Sequence, residues 1–285
     1  MVKKIFGKAY IYLALLFMYF PILVIIAFSF TVSEQVGKWE GFDLSLYLRL
    51  FQHEKLMNAV ANTVLIALIS SIVSVVLGTV GAIGAFYSGK KTKKAIEVVT
   101  QIPVVNAEIV IALSLTVMFV FLAQKVFFVD SIFSFWTLLI GHIVLSVPFV
   151  YLSVKPKLQQ MDPSIYEAAL DLGATPRQAL MKVTFPQILP GILSGFLLSI
   201  TISLDDFIVT AFTRGPGLHF LNGENNIETL STYIQAIIKR DNVPPETRAL
   251  TTLIFLLVLS IVIGVSIYQN KKEKSSIKKF RRGRA

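Results

Sequence analysis

Six stretches of the chain are apolar for long enough to cross a bilayer, at about 9–30, 62–87, 103–123, 132–154, 192–212 and 250–268. A spanning helix needs roughly 20 predominantly apolar residues. Each stretch is too long for an ordinary strand, and a helix satisfies its own backbone hydrogen bonds in lipid. The pattern predicts an all-α polytopic membrane protein with six transmembrane helices, 1–285 forming a single transmembrane domain. The first stretch follows a basic start (Lys3, Lys4, Lys8), but its apolar run is too long for a signal peptide and lacks a well-placed small-x-small cleavage site. It is read as a retained span.

Composition supports this. Hydrophobic residues make up 54% of the chain, charged residues only 15%, and mean hydropathy is +0.70. A soluble domain carries about 25% charged residues. The absence of cysteine excludes disulfides, iron–sulfur clusters and thiolate zinc sites. The net charge of +10 changes the picture only through its distribution. Of the 27 Lys and Arg, 19 fall in the N-terminal segment, the second and fourth interhelical loops and the tail. The positive-inside rule then puts both termini in the cytoplasm, which an even number of spans requires. The basic tail 269–285 is read as a topology signal that meets anionic lipid, not as a nucleic-acid site.

The fourth loop, residues 161–190, is the informative one. Asp162 then Pro163 reads as an N-cap followed by proline at the first helical position. Ile165, Ala168, Ala169 and Leu172 share one helical face, and Gly173 supplies a left-handed terminus. Thr175 then Pro176 repeats the start signal, and Pro186 is expected to stop the second short helix. Ser164 to Gly173 carries Glu167 and Asp171 but no Lys or Arg. Anionic lipid would repel it, so a protein partner is expected.

This loop resembles the EAA signature of the permeases of binding-protein-dependent ABC importers. The likeness rests on Glu167, Ala168, Ala169, Gly173 and Pro186 at the family's spacing; Val183 and Phe185 depart conservatively from its Ile and Leu. The resemblance implies the type I ABC importer permease fold and a coupling helix that docks in a cleft of an ATPase subunit. It also implies a subunit without chemistry of its own. ATP and Mg would be bound by the partner ATPase, and no cofactor by this chain. Implied partners are a second permease subunit in a heterodimer, two ATPase subunits and an extracytoplasmic binding protein, all at a bacterial cytoplasmic membrane. The run Gly84 to Lys91 nearly fits a P-loop, but Lys91 stands where the Mg-binding hydroxyl belongs, and the run ends a membrane helix instead of a strand. It is not read as an ATP site.

Acidic residues within spans cost roughly 2.5–3.5 kcal/mol each on insertion scales and default to functional hypotheses. Asp205 and Asp206 fall inside the fifth span and Glu108 inside the third, with no Lys or Arg in any span core. Carboxylates along a water-filled path would favour a cation; alternatively they satisfy serine, threonine or backbone groups at a helix bend. The runs SLDDF with TRGPG, and NAEIVIALSL around Glu108, resemble permeases of polyamine importers, and the likeness covers most of 103–268. It implies spermidine or putrescine as cargo and a polyamine-binding protein as partner. The stretch 219–226 looks longer than that family's turn. His142 is read as a packed or hydrogen-bonded residue, since His53 and His219 belong to outer loops and no metal site forms. Gly78, Gly81 and Gly84 share a face and are expected to permit close helix packing. Two other readings stay open, an importer permease for a different solute and a cation-coupled secondary transporter. No HExxH or GxSxG motif supports an enzyme.

Overall fold

A computed structural model describes residues 2–31, 33, 37–217, 227–239, 243–260 and 263. In chain order the helices are α1 (Val2–Phe28), α2 (Ser45–Gln52), α3 (Glu54–Tyr87), α4 (Lys90–Val105), α5 (Glu108–Phe121), α6 (Phe135–Gln160), α7 (Pro163–Asp171), α8 (Pro176–Ala179), α9 (Phe185–Asp205), α10 (Ile208–Thr213) and α11 (Leu230–Lys239). Residues 246–260 form α12. Among the described residues five helical runs are long and apolar enough to cross a membrane: Tyr10–Phe28, Glu54–Tyr87, Glu108–Phe127, Phe135–Gln160 and Pro176–Asp205. The expected sixth span is helical over 250–260 and at 263; 261–262 and 264–268 lie outside the described residues, as do 219–226 and the basic tail.

Two bodies are distinguished, one from the described parts of 1–57 and 237–285, the other from 58–236. In the first, the amphipathic α2 buries Leu46 and Leu50 and exposes Leu48 and Phe51. Ser29 Oγ bonds Tyr47 Oη at 2.8 Å, and Phe30 stacks on Phe42. The buried Arg248 of α12 donates to the carbonyls of Phe28 and Ser33. Along α1 the apolar side chains from Tyr10 to Phe20 are exposed, Phe17 at 82%. An apolar surface of this kind is stable against lipid or another protein.

In the second body α6 is the central helix. Ser134 and Thr137 form a capping box at its start, and 13 of its residues are buried. It lies between α3 and α9, and the three meet in steps of four residues, the spacing that returns a helix to the same face. Ser70, His142 and Ser203 meet through hydrogen bonds in one layer. Two turns further along α3, Gly78 lets the backbones close: a Cβ there would lie 2.7 Å from Val150 Cβ. Beyond it Ala82, Val154, Leu158, Ile188 and Ile192 form an apolar cluster. Among the described residues no neighbouring element comes near the space a Cβ would take at Gly81 or Gly84, so the expected glycine face narrows to Gly78.

Three expectations are corrected. Pro186 does not stop a helix. Residues Leu180–Thr184 form a π-helical turn, with Phe185 N–H donating to Leu180 C=O, and α9 continues through Pro186. The widened turn relieves the clash of the proline ring with the carbonyl four residues back. The third span does not run unbroken from 103. Pro103 lies in the last turn of α4, Asn106 and Ala107 are extended, and α5 starts at Glu108. The fifth span breaks as well: α9 ends at Asp205, Asp206 is extended (φ −63, ψ 124), and α10 follows.

Candidate functional site

Two places gather the residues singled out from the sequence. The first is the loop 161–190. Asp162 accepts the Ser164 N–H at 3.0 Å, capping α7. That backbone hydrogen bond holds the Asp162 carboxyl below its ordinary value of 3.8. At the other end Gly173 N–H bonds Leu170 C=O at 2.9 Å and Ala174 N–H bonds Ala169 C=O at 3.0 Å. These two bonds are the Schellman motif, which needs a left-handed residue; Gly173 has φ +87. Thr175 and Gln178 then form a reciprocal capping box for α8.

The apolar face expected on α7 points away from the rest of the chain. Ile165 is 46% exposed and Leu172 90% exposed, and Glu167 and Ala168 are exposed beside them, with Ala169 half-buried. Tyr166 turns inward instead, onto the ring of Tyr87 at the end of α3. Tyr87 Oη in turn lies 3.4 Å from Thr184 Oγ1 in the π-helical turn. The surface that a partner would press on is therefore joined to both α3 and α9. Sequence reasoning missed this joint, because a lone Tyr at the end of a span carries no signal of what it meets.

The second place is the pair of breaks. Asp205 is exposed at the end of α9. Asp206 is buried, and its carboxylate is fully engaged: Oδ1 accepts Val209 N–H at 3.1 Å, and Oδ2 accepts Thr210 N–H at 2.8 Å and the Thr210 hydroxyl at 2.9 Å. Asp205 is thus exposed in this chain, while Asp206 is engaged at the helix bend and caps α10. Its carbonyl accepts from Ser231 Oγ at 2.8 Å. Glu108 stands in the first turn of α5, at the other break. The two half-helices run side by side, Thr116 Oγ1 of α5 donating to Phe212 C=O of α10 at 3.1 Å. The breaks that carry the three acids thus open two half-helices that pack on each other.

None of the ion pairs among the described residues joins a Lys or Arg to these acids; the basic side chain nearest Asp206 among them is His142, its Nε2 3.7 Å from Asp206 Oδ2. Among the described residues no cluster of His, Asp and Glu could hold a metal ion. His142 is buried and hydrogen-bonded, as expected, to Ser203 and Thr210. Ser203 and Thr210 were not singled out from the sequence, although both stand within four residues of the acidic pair.

Residues 74–271 match the family of binding-protein-dependent transport system inner membrane components. The chain is 31% identical to the spermidine/putrescine transport system permease protein PotC of Haemophilus influenzae, over 90% of this chain and 93% of that one. It is also 31% identical to the putrescine transport system permease protein PotI of Escherichia coli, over 94% of this chain and 92% of that one. Among solved structures it resembles a bacterial ABC transporter involved in import of the acidic polysaccharide alginate (TM-score 0.65, 17% identity, 92% of this chain and 95% of that one). A second structure of an alginate ABC transporter, in complex with its pentasaccharide-bound periplasmic protein, matches with TM-score 0.67 at 20% identity, over 92% and 91% of the two chains. These two likenesses carry the fold, that of ABC importer permeases.

Proposed function

Because this chain belongs to the family of binding-protein-dependent transport system inner membrane components, we propose that it is the permease subunit of an ABC importer that moves polyamines, spermidine or putrescine, into the cell. Two relatives at 31% identity bear names of polyamine permeases, which supports the choice of cargo. The observation that carries it is the placing of Glu108, Asp205 and Asp206 at the breaks that open two packed half-helices, α5 and α10, with no ion pair to Lys or Arg among the described residues. Carboxylates kept in a membrane interior at that cost favour a polycation.

In this reading a second permease subunit completes the path, two ATPase subunits bind ATP and Mg on the cytoplasmic side, and an extracytoplasmic binding protein delivers the polyamine. Both termini are cytoplasmic, so α7 faces the ATPase. Glu167, Ala168, Ala169 and Gly173 form the docking surface. Pro186 sits in the first turn of α9, just past the π-helical turn that lets the helix run on from the loop into the membrane. Closure of the ATPase pair presses on α7, and the displacement reaches α3 through Tyr87 and α9 through Thr184. Asp205, exposed at the break, meets the cation directly; Asp206 holds the break in shape and adds its charge.

Uptake of radiolabelled spermidine and putrescine by cells expressing the whole transporter tests the reading. Replacing Asp205 with Asn should cut uptake about tenfold or more while the subunit stays inserted, the scale of one lost charged contact. Undiminished uptake would remove the acids from the path. Protease that cleaves the tail only from outside the cell would overturn the orientation.

A further inference from the structure

The hydrogen bonds around the α9–α10 break run in one direction. An ionised carboxylate only accepts, so Thr210 gives its single hydroxyl proton to Asp206 Oδ2, 2.9 Å away. The Thr210 oxygen must then accept at its 2.9 Å contact with His142 Nε2, which places a proton on Nε2. The ring is fully buried, both its nitrogens face hydroxyls, and Asp206 Oδ2 at 3.7 Å is beyond direct hydrogen bonding, so burial favours the neutral ring. Nδ1 therefore accepts from Ser203 Oγ at 2.7 Å, and Ser203 Oγ, its own proton spent, accepts from Ser70 Oγ at 3.1 Å, a hydroxyl whose other acceptor, Ala67 C=O, is further off at 3.3 Å. The chain Ser70, Ser203, His142, Thr210, Asp206 joins α3, α9, α6 and α10, and every proton in it points toward the carboxylate.

We propose that His142 is a positioning residue for transport, whose Nε2–H holds Thr210 turned onto Asp206 and so keeps that carboxylate aimed across the helix break. The tautomer is set by the charge of Asp206. Where that charge is lost, Thr210 is released to donate to the ring, and the proton moves to Nδ1. His142 thereby makes the α3–α9 contact at Ser70 and Ser203 respond to the state of Asp206, although the ring touches no cargo. The inference rests on the acidic-path reading for its link to uptake, and on the hydrogen-bond geometry alone for the tautomer.

The test uses the assembled transporter in lipid nanodiscs with ¹⁵N-labelled histidine, together with uptake kinetics. Only three histidines are present, so His142→Gln removes its signal and assigns it. The expected spectrum is a neutral ring protonated at Nε2, shifting toward Nδ1–H in Asp206→Asn. In uptake, His142→Leu should raise KM about tenfold, as loss of a buried hydrogen bond to a charged site does. His142→Gln, which keeps a donor toward Thr210, should raise it far less. An Nδ1–H or cationic ring in the wild type, or equal KM in the Gln and Leu variants, overturns the proposal. If the tautomer shift appears while Asp205→Asn and Asp206→Asn both take up polyamine normally, the positioning geometry stands and the acidic-path reading falls.

Discussion

The rings of Tyr166 and Tyr87 pack with centroids 5.3 Å apart and planes tilted by 43°. This contact joins the exposed helix α7 to the end of α3, the longest helix described. An aromatic pair is worth about 0.5–1.5 kcal/mol beyond its buried area. Tyr166→Ala and Tyr87→Ala should therefore leave ATP hydrolysis running while uptake per ATP falls about two- to tenfold. Tyr87→Phe keeps the ring and loses only the 3.4 Å contact with Thr184, so it should fall least. Paired uptake and hydrolysis measurements on the reconstituted assembly check the order.

Gly173 has positive φ and no atom of this chain near the space a Cβ would fill. Gly173→Ala then costs only backbone strain, about 1–2 kcal/mol, and Asn, which tolerates the left-handed region, less. A large aromatic there should affect the docking surface instead. Hydrolysis should uncouple from uptake with unchanged membrane insertion, and normal uptake in Gly173→Trp would remove α7 from the docking role.

The cap at Asp162 depends on pH in a definite sense. Its carboxyl is held below 3.8 by the Ser164 N–H, so folding favours the ionised form. The stabilisation is fully present above the unfolded value and is lost as pH falls through the lower folded value. Hydrogen exchange at Ser164 and Ile165 should accelerate, after correction for intrinsic pH effects, only at pH below 3.8. Asp162→Asn, which caps without a titrating group, should abolish that step.

Gly78 touches α6 where Gly81 does not. Forcing side chains into a packed interior typically costs about 1–3 kcal/mol. Gly78→Leu should lower the thermal unfolding midpoint of the purified subunit or its complex, and Gly81→Leu should not. Equal shifts would mean that α3 and α6 do not meet at Val150.

The two neighbouring acids should separate in the same measurement. Asp206→Asn replaces an acceptor that takes three hydrogen bonds and should destabilise by about 1–3 kcal/mol. Asp205→Asn, on an exposed residue, should leave the midpoint within about 0.5 kcal/mol of the parent. Both should lose uptake.

Apolar run length located the spans because the bilayer imposes it: α3 covers the expected 62–87 and begins earlier, at Glu54, and α6 covers most of the expected 132–154, from Phe135, and runs on to Gln160. The caps at Asp162 and Thr175 and the turn at Gly173 were legible for a local reason: each is built from residues adjacent in sequence. The break at Asn106 was not legible, and the one at Asp206 only as an alternative, in which the acids satisfy groups at a helix bend. Hydropathy averages over one or two extended residues inside an apolar run; the second break is held locally by the Val209 and Thr210 N–H groups on the Asp206 carboxylate, and from further along the chain by Ser231. Pro186 misled because a proline normally ends a helix; the π-helical turn before it relieves the clash, and nothing in the local sequence announces one. The acids were found as costly residues in apolar runs, but that Asp206 is held by its own chain while Asp205 is exposed depends on which way each side chain turns at the break.

ATP hydrolysis by the reconstituted transporter, this chain with its second permease, its ATPase and its binding protein in lipid, tests the central claim most directly. The account predicts hydrolysis stimulated by spermidine or putrescine only when the binding protein is present, and weakened by Asp205→Asn. Stimulation by another solute but by neither polyamine would contradict the cargo, and uptake that proceeds without any dependence on ATP would contradict the importer itself.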